Sequence, residues 1–290
     1  MVLKKSANID LLSGNFPEYE LLDTGDRLKL ERFKDVVIIR SEPKAWWKPC
    51  LHKSEWAKAK ARYFDDDKKN SHWQFFSKVN APILDYKGIK FATKFMDGSK
   101  HLGVFPEQEP HWDYLASQAK PNASLLNLFG YTGAASLVAA KAGYEVTHVD
   151  ASKPSISWAR QNQELSGLSQ KPIRWIIDDA LKFAKRQERK ESKYDAIILD
   201  PPAFGRGPKN ELWKLEKMLP ELLDACSKLI SKNPICVIIT LYSIDASSIM
   251  AKNMLMQYFP MFKNFEAGEL VLNPKDESMQ LPLSIYAKAF

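Results

Sequence analysis

Between Ser124 and Phe204 the chain runs three times through one arrangement, a short apolar strand that ends in a loop of small or acidic residues. The first is Ser124-Leu-Leu-Asn-Leu-Phe-Gly-Tyr-Thr-Gly-Ala-Ala-Ser136, and the second is Glu145-Val-Thr-His-Val-Asp-Ala-Ser152. The third is Ala196-Ile-Ile-Leu-Asp-Pro-Pro-Ala-Phe204. Apolar strands that alternate with helix-length segments predict a doubly wound, mostly parallel sheet. Such a sheet presents its ligand loops at the carboxyl ends of its strands. The three loops are therefore expected to converge.

The pattern predicts strand one at 125–129 and a helix over 133–142 that Gly143 ends. Strand two follows at 145–149, then a helix capped by Ser152, with Pro154 in its first turn and Gly167 as terminator. Strands at 173–177, 196–199 and 235–240 are expected, with helices to about 190, over 212–230 and over 247–258. Segments 269–272 and 284–287 can close the sheet as an antiparallel pair.

Residues 18–110 read differently. Asp35-Val-Val-Ile-Ile-Arg40 is a β-branched run, and Ile89-Lys-Phe-Ala-Thr-Lys-Phe95 alternates as a half-buried strand does. Asp97-Gly98 is the strongest hairpin signal. A helix is expected over 54–62, and Asp65-Asp-Asp-Lys-Lys69 reads as a solvated loop or helix end. The division expected is an N-terminal β-rich domain, 1–110, and an α/β domain, 111–290.

Gly130 and Gly133 let the backbone turn sharply after strand one, and N–H groups at the following helix start suit a carboxylate or phosphate. The Gly-Tyr-Thr-Gly spacing lacks the full Gly-x-Gly-x-x-Gly fingerprint, which weighs against a nicotinamide enzyme. A plain turn would use two glycines as well. Asp150 ends strand two, about twenty residues on, where a carboxylate accepts from ribose hydroxyls. Ser152 already serves as the cap, so the helix has no need of Asp150 for that purpose. Asp178-Asp179-Ala180 follows strand three. A carboxylate there suits an adenine amino group, with the Ala180 N–H meeting the ring, yet acids in a first turn also favour the helix dipole.

Asp200-Pro201-Pro202-Ala203-Phe204 is the most specific element. Two prolines fix the backbone and remove two N–H groups. Asp200 and the Pro201 carbonyl are then placed to accept from an aromatic amine while Phe204 covers its ring. Arg206 and Lys209, just beyond, suit a phosphate.

These residues resemble the class I S-adenosylmethionine-dependent methyltransferases. Within that class the chain is similar to the bacterial 23S rRNA base methyltransferases of the cytosine-C5 and guanine-N7 kind, which share an Asp-Pro-Pro-x-Phe loop. The resemblance covers roughly residues 100–290; residues 1–90 do not resemble the PUA domain of some relatives. It implies a Rossmann-like α/β sheet of seven strands, the last antiparallel, and S-adenosyl-L-methionine as cofactor. It puts Phe129, Gly130 and Gly133 around the methionine part of the cofactor, with Tyr131 and Thr132 in the same loop. Asp150 falls on the ribose, with Ala151 and Ser152 beside it, and Asp179 and Ala180 fall on the adenine. Asp200, Pro201 and Phe204 fall beside the methyl acceptor. His101-Leu-Gly-Val-Phe-Pro-Glu-Gln108 is similar to a segment that borders the cofactor in these enzymes, with Gln108 the residue singled out.

Two departures matter. Cytosine-C5 methylation needs a cysteine thiolate, and the loops after strands four and five read Pro201-Pro-Ala-Phe and Thr240-Leu-Tyr-Ser-Ile, without one. Cys226 and Cys236 fall inside a helix and a strand, where inert thiols are the rule. Ala203 also separates the second proline from Phe204, whereas amino-methylating enzymes place the aromatic directly after it.

The expected activity is methyl transfer from S-adenosylmethionine to a nucleobase nitrogen, with RNA, foremost rRNA, as substrate and with no metal. The alternatives are a small-molecule or protein acceptor, or a non-catalytic RNA-binding protein on the same fold. The net charge of +7 favours a polyanionic partner. So do Trp46, Trp47, Trp56 and Trp73, interleaved with Lys44, Lys48, Lys53, Lys58, Lys60 and Arg62, although tryptophans also fill small β cores. No apolar run approaches the roughly 20 residues of a membrane span, and the first residues lack the apolar stretch of a signal peptide. Three scattered cysteines suit neither a disulfide framework nor a zinc site. A cytoplasmic location is expected; oligomeric state is not legible.

Overall fold

A computed structural model of the protein describes residues 10–65, 71–242, 245–275 and 279–290. The chain opens with β1 (Asp10–Ser13), β2 (Tyr19–Gly25), β3 (Leu28–Phe33) and β4 (Val36–Ser41). A single turn, α1 (Lys53–Trp56), leads to β5 (Ala61–Phe64), β6 (His72–Phe75), and the hairpin β7 (Ile83–Tyr86) and β8 (Ile89–Ala92). Strands β2 to β6 form a five-stranded sheet in sequence order. Helix α2 (Glu109–Ser117) then leads into an alternating series: β9 (Ser124–Leu128), α3 (Ala134–Ala142), β10 (Glu145–Asp150), α4 (Lys153–Leu165), β11 (Ile173–Ile177), α5 (Ala180–Glu188) and β12 (Ala196–Leu199). The remainder is a short hairpin, β13 (Phe204–Arg206) and β14 (Leu212–Lys214), then α6 (Leu215–Leu229), β15 (Cys236–Tyr242), α7 (Ser248–Tyr258), β16 (Phe265–Leu272) and β17 (Leu281–Ala289).

The large sheet has the order β1-β16-β17-β15-β12-β9-β10-β11. Strands β15, β12, β9, β10 and β11 are mutually parallel, and β17 runs antiparallel to both of its neighbours. This is the expected seven-stranded, doubly wound α/β sheet, with β1 added as an eighth strand beside β16. The central strands are apolar throughout because both faces are covered. Leu125, Ile198 and Ile238 point to one face; Leu126, Leu128, Ile197, Leu199, Val237 and Ile239 point to the other. The first face shares a continuous core with Phe16, Phe33, Ile38, Leu84, Tyr86, Phe91 and Trp112. Each such side chain contributes about 1.5–3 kcal/mol by leaving water, so the N-terminal β-rich region is packed on the sheet.

Several expectations change. The helix expected over 54–62 is only the turn Lys53–Trp56, because Ala61 and Arg62 pair with Ile38 and Ile39 of β4 and extend the sheet. The helix expected from 212 starts at Leu215, since Leu212–Lys214 is captured by β13. Strand β8 ends at Ala92, and its hairpin with β7 turns at Lys87-Gly88, both in left-handed conformation (φ 51° and 78°). Asp97-Gly98 closes only the small bridge between Met96 and Ser99. Residues 1–9, and 66–69 of the acidic-basic run, lie outside the described residues. Among the described residues no helix is long and apolar enough to cross a membrane.

Candidate active site

The carboxyl ends of β9, β10, β11 and β12 converge on a cleft of about 690 Å3, closed on its far side by residues of the N-terminal region and the segment before α2. A side chamber of about 50 Å3 adjoins it beneath the first loop, lined by Gly103, Phe129, Gly130, Thr132 and Asp200 among others. The cleft is within the 300–1,000 Å3 usual for small-molecule sites.

The loop after β9 is tightly coiled. Phe129, Tyr131 and Gly133 all have positive φ (59°, 51° and 87°), a conformation uncommon outside glycine and retained only where the surroundings enforce it. Gly130 N–H donates to the Val149 carbonyl (3.1 Å), Asn162 Nδ2 donates to the Thr132 carbonyl (3.1 Å), and Thr132 Oγ1 donates to the Gly103 carbonyl. Gly130 lies directly on His148, whose Nδ1 is 2.9 Å from Ser136 Oγ, itself bonded by Asn127 Nδ2 at 2.9 Å. Burial pushes the His148 imidazole down to about 3, so a neutral ring supports the loop.

Asp150 reaches the cleft from the end of β10. Its two carboxylate oxygens accept from the N–H groups of Tyr131 and Ser152, each at 2.8 Å. Burial raises its pKa, opposed by those two bonds. Each oxygen retains a further acceptor site, which suits a pair of ribose hydroxyls. Replacing Asp150 with alanine is expected to weaken S-adenosylmethionine binding by about 1.5–3 kcal/mol, the scale of hydrogen bonds to a charged group. Isothermal titration checks this, and unchanged affinity would mean that the ribose is held elsewhere.

Ala151 and Ser152 line the cleft beside Asp150, and the Ser152 hydroxyl caps α4 by accepting from Ser155 N–H. Asp178, Asp179 and Ala180 also line it. Asp179 Oδ1 caps α5 through Lys182 N–H (2.9 Å), while Asp178 is ion-paired with Arg186. The helix-start role that the sequence left open is thus filled by Asp179, with its residue still on the cleft wall.

Asp200 and Pro201 stand at the end of β12, on the cleft wall. Asp200 Oδ2 accepts from Gln108 Nε2 at 3.4 Å, whereas its buried Oδ1 has no hydrogen-bond partner within the described protein. Burial first, then the neighbouring Glu107, pushes the Asp200 carboxyl up to about 8. The Pro202 carbonyl accepts from Trp213 Nε1 at 2.7 Å, and the Trp213 ring packs on Phe129 at 5.0 Å. Phe204 departs from its expected place: on β13 it is 56 % exposed and is not part of the cleft wall. Pairing with Lys214 turns it away, and Ala203 supplies the one-residue offset. Phe105 does line the cleft with its ring, which lies 5.7 Å from Tyr131 and 5.9 Å from Tyr242.

Sequence reasoning missed Phe105, Glu107 and Tyr242, and it missed Lys29, Arg40 and Lys100, which line the cleft from the N-terminal region together with Lys44. Glu107 is buried one residue before Gln108, the only residue of that segment singled out. A carboxylate after Phe-Pro was the available signal. Arg40 is held by a bidentate pair with Glu31 (2.6 Å each) and donates to the Lys100 carbonyl at 3.1 Å, which fixes the 99–101 segment against β4. Of the four tryptophans, Trp47, Trp56 and Trp73 use their indole N–H on Thr24, Asp23 and the Ser99 carbonyl. Trp46 alone of these is exposed, at 77 %. Cys226 and Cys236 are buried, and burial pushes the Cys236 thiol up to about 12.

A sheet of this order, with a glycine loop, an acid at the end of the second strand and an Asp-Pro-Pro loop around one cleft, defines a class. The chain belongs to the S-adenosylmethionine-dependent methyltransferase family, whose model matches residues 68–243. The crystal structure of a SAM-dependent methyltransferase from Agrobacterium tumefaciens is 38% identical, with a TM-score of 0.91, covering 98% of this chain and 94% of that one. The ribosomal RNA large subunit methyltransferase K/L of Shewanella frigidimarina is 34% identical over 153 residues, 52% of this chain and 21% of that protein. The ribosomal RNA large subunit methyltransferase I of Aeromonas salmonicida is 32% identical over 123 residues, 42% of this chain and 31% of that protein. The matched segments thus span only a fifth to a third of those two relatives.

Proposed function

We propose that this methyltransferase modifies a nucleobase nitrogen in RNA, with rRNA the leading substrate. The observation that carries the choice of nitrogen is Asp200 Oδ1, a buried acceptor without a donor among the described residues, on a residue that lines both cleft and side chamber. An N–H group of the acceptor satisfies it, and a buried acceptor left unpaired costs about 1–3 kcal/mol. The absence of a cysteine from the Asp-Pro-Pro loop, and the burial of Cys226 and Cys236, support the same choice over carbon methylation.

In this reading the glycine loop with Phe129, Gly130, Tyr131, Thr132 and Gly133 holds the methionine part of the cofactor. Asp150, Ala151 and Ser152 hold its ribose, and Asp179 and Ala180 border its adenine. When bound, S-adenosylmethionine supplies a sulfonium methyl: the S–CH3 bond breaks as the N–CH3 bond forms, leaving S-adenosylhomocysteine. Asp200 orients the acceptor N–H and takes the proton that the methylated nitrogen sheds, passing it to solvent as product leaves. Pro201 and Pro202 keep the loop rigid, and Phe105 takes the stacking role expected of Phe204. Positioning of this kind supplies much of the barrier reduction.

Residues 1–110 serve as the RNA-contacting part and residues 111–290 as the catalytic part. The lysines and Arg40 that the N-terminal region brings to the cleft support this division. So do the names of the two partial relatives, both ribosomal RNA large subunit methyltransferases. Trp46 is held in place by its indole N–H on the Pro43 carbonyl (2.7 Å), beside cleft-lining Lys44, with Arg27 5.7 Å from its ring centre. Trp46→Ala is expected to weaken RNA binding by about 1–3 kcal/mol, one stacked base, without altering cofactor affinity. Fluorescence titration with RNA checks it.

The test of function is transfer of labelled methyl from S-adenosylmethionine into total RNA, followed by mass spectrometry of the nucleosides. An N-methylated base is expected. Label found only in protein or metabolites, or only on ring carbon, would overturn the proposal.

A further inference from the structure

We propose that Glu107 is a positioning residue for methyl transfer, acting through Tyr242 and Gln108 to decide which oxygen of Asp200 faces the acceptor. The inference rests on the reading of Asp200 as the group that receives the acceptor N–H.

The hydrogen-bond directions lead to it. Thr240 Oγ1 lies 3.5 Å from Gln108 Oε1, so the amide turns its nitrogen the other way. That nitrogen donates one hydrogen to Tyr242 OH (3.0 Å) and the other to Asp200 Oδ2 (3.4 Å). Having accepted from Gln108, the tyrosine hydroxyl gives its own hydrogen to Glu107 Oε1 at 3.2 Å. With both carboxyl groups ionised, the hydrogens of Gln108 and Tyr242 are then assigned, and Glu107 is the acceptor at the end of the chain. Asp200 Oδ2 is engaged from within, which leaves the buried Oδ1, on a residue that lines the cleft, as the oxygen without a donor among the described residues. Glu107 and Gln108 are both buried, while Tyr242 and Asp200 are half-buried, so the inner end of the chain is shielded from competing water, and a satisfied network of this kind holds one geometry.

Glu107 also acts by charge. The groups that face it are Asp200 and Tyr242 from the large sheet, with Tyr19, Lys29, Glu31, Arg40 and Lys44 from the N-terminal region. Lys29 and Arg40 favour its ionised form, while burial and Glu31 oppose it. A negative Glu107 discourages ionisation of Asp200, as does burial of Asp200 itself. Because the ionised form of Asp200 is the one that accepts a proton, activity rises with pH through its pKa.

The experiment compares wild type with Glu107→Gln, Tyr242→Phe and Asp200→Asn. For each, kcat and KM with RNA, the pH profile of kcat, S-adenosylhomocysteine affinity and thermal melting are measured. Glu107→Gln keeps the acceptor oxygen and removes the charge, so the rising limb of its pH profile is expected to move to lower pH. Tyr242→Phe cuts the chain, and kcat is expected to fall about 10- to 100-fold, the scale of a small misplacement, with KM for RNA and cofactor affinity little changed. A residue that only supported the fold would lower the melting temperature without moving the limb. If Glu107→Gln and Tyr242→Phe keep the wild-type kcat and limb while Asp200→Asn is inactive, Glu107 has no positioning role and Asp200 keeps its own. If Asp200→Asn is as active as wild type, the underlying reading of Asp200 fails.

Discussion

Replacing Asp200 with asparagine is expected to lower kcat by about 10²- to 10⁴-fold, the range typical of a lost acid–base group, while cofactor binding persists. The substitution conserves size, so the loss arises from hydrogen-bond direction. Gln108 Nε2 donates toward the Oδ2 position. An asparagine there must turn its carbonyl oxygen to Gln108, which leaves its NH2 group at the Oδ1 position. Donor would then face donor when the acceptor's N–H arrives, and no group would take the proton released on methylation. Single-turnover transfer of labelled methyl, with isothermal titration of the cofactor alongside, measures both halves. A variant that loses cofactor binding together with turnover would place Asp200 in the cofactor site instead.

Alanine at Gly130 is the second large effect. Its Cβ would lie within about 2.5 Å of His148 Nδ1, far inside contact distance. The imidazole has nowhere to go: it is fully buried, bonded to Ser136 at 2.9 Å and packed on Trp175 at 4.7 Å. Either the ring or the loop must shift, at about 1–3 kcal/mol for overpacking of this kind. If the loop moves, the Tyr131 N–H is pulled from Asp150, and the methionine and ribose contacts proposed for these residues loosen together. Binding of S-adenosylhomocysteine is therefore expected to weaken by about 5- to 140-fold, taking that cost at 1.4 kcal/mol per tenfold. Adding His148→Ala should recover part of the loss by making room. No recovery in the double variant would show that the added carbon acts somewhere other than on the ring.

The large sheet was readable because its strands are runs of apolar residues cut by helix starts with strong local chemistry. Ser152 caps its helix, and Gly143, in left-handed conformation, ends another, both where the sequence placed them. The loops after β9, β10 and β12 were readable for the same reason, since Gly130, Asp150 and Asp200 each stand at or just past the end of a strand of that sheet. The opposite wall was not. Lys29, Arg40 and Glu107 reach the cleft only because the N-terminal region packs on the sheet, a contact between segments far apart in sequence that no local pattern records. Phe204 shows the converse error. Its motif position suggested a stacking ring, but pairing with Lys214 in a short hairpin overrides the motif. The tryptophan-rich stretch divided likewise: all four indole N–H groups have intramolecular acceptors, and only packing by segments distant in sequence decides that the Trp46 ring alone of the four is exposed.

The central claim is that the loops after β9, β10 and β11 hold the cofactor with its sulfur turned toward Asp200. A crystal structure with S-adenosylhomocysteine tests it most directly. The ribose hydroxyls are predicted to sit within hydrogen-bonding distance of the Asp150 carboxylate, with the sulfur facing Asp200 Oδ1 across the cleft. A ligand whose ribose avoids Asp150, or one seated in a different pocket of the molecule, would contradict it.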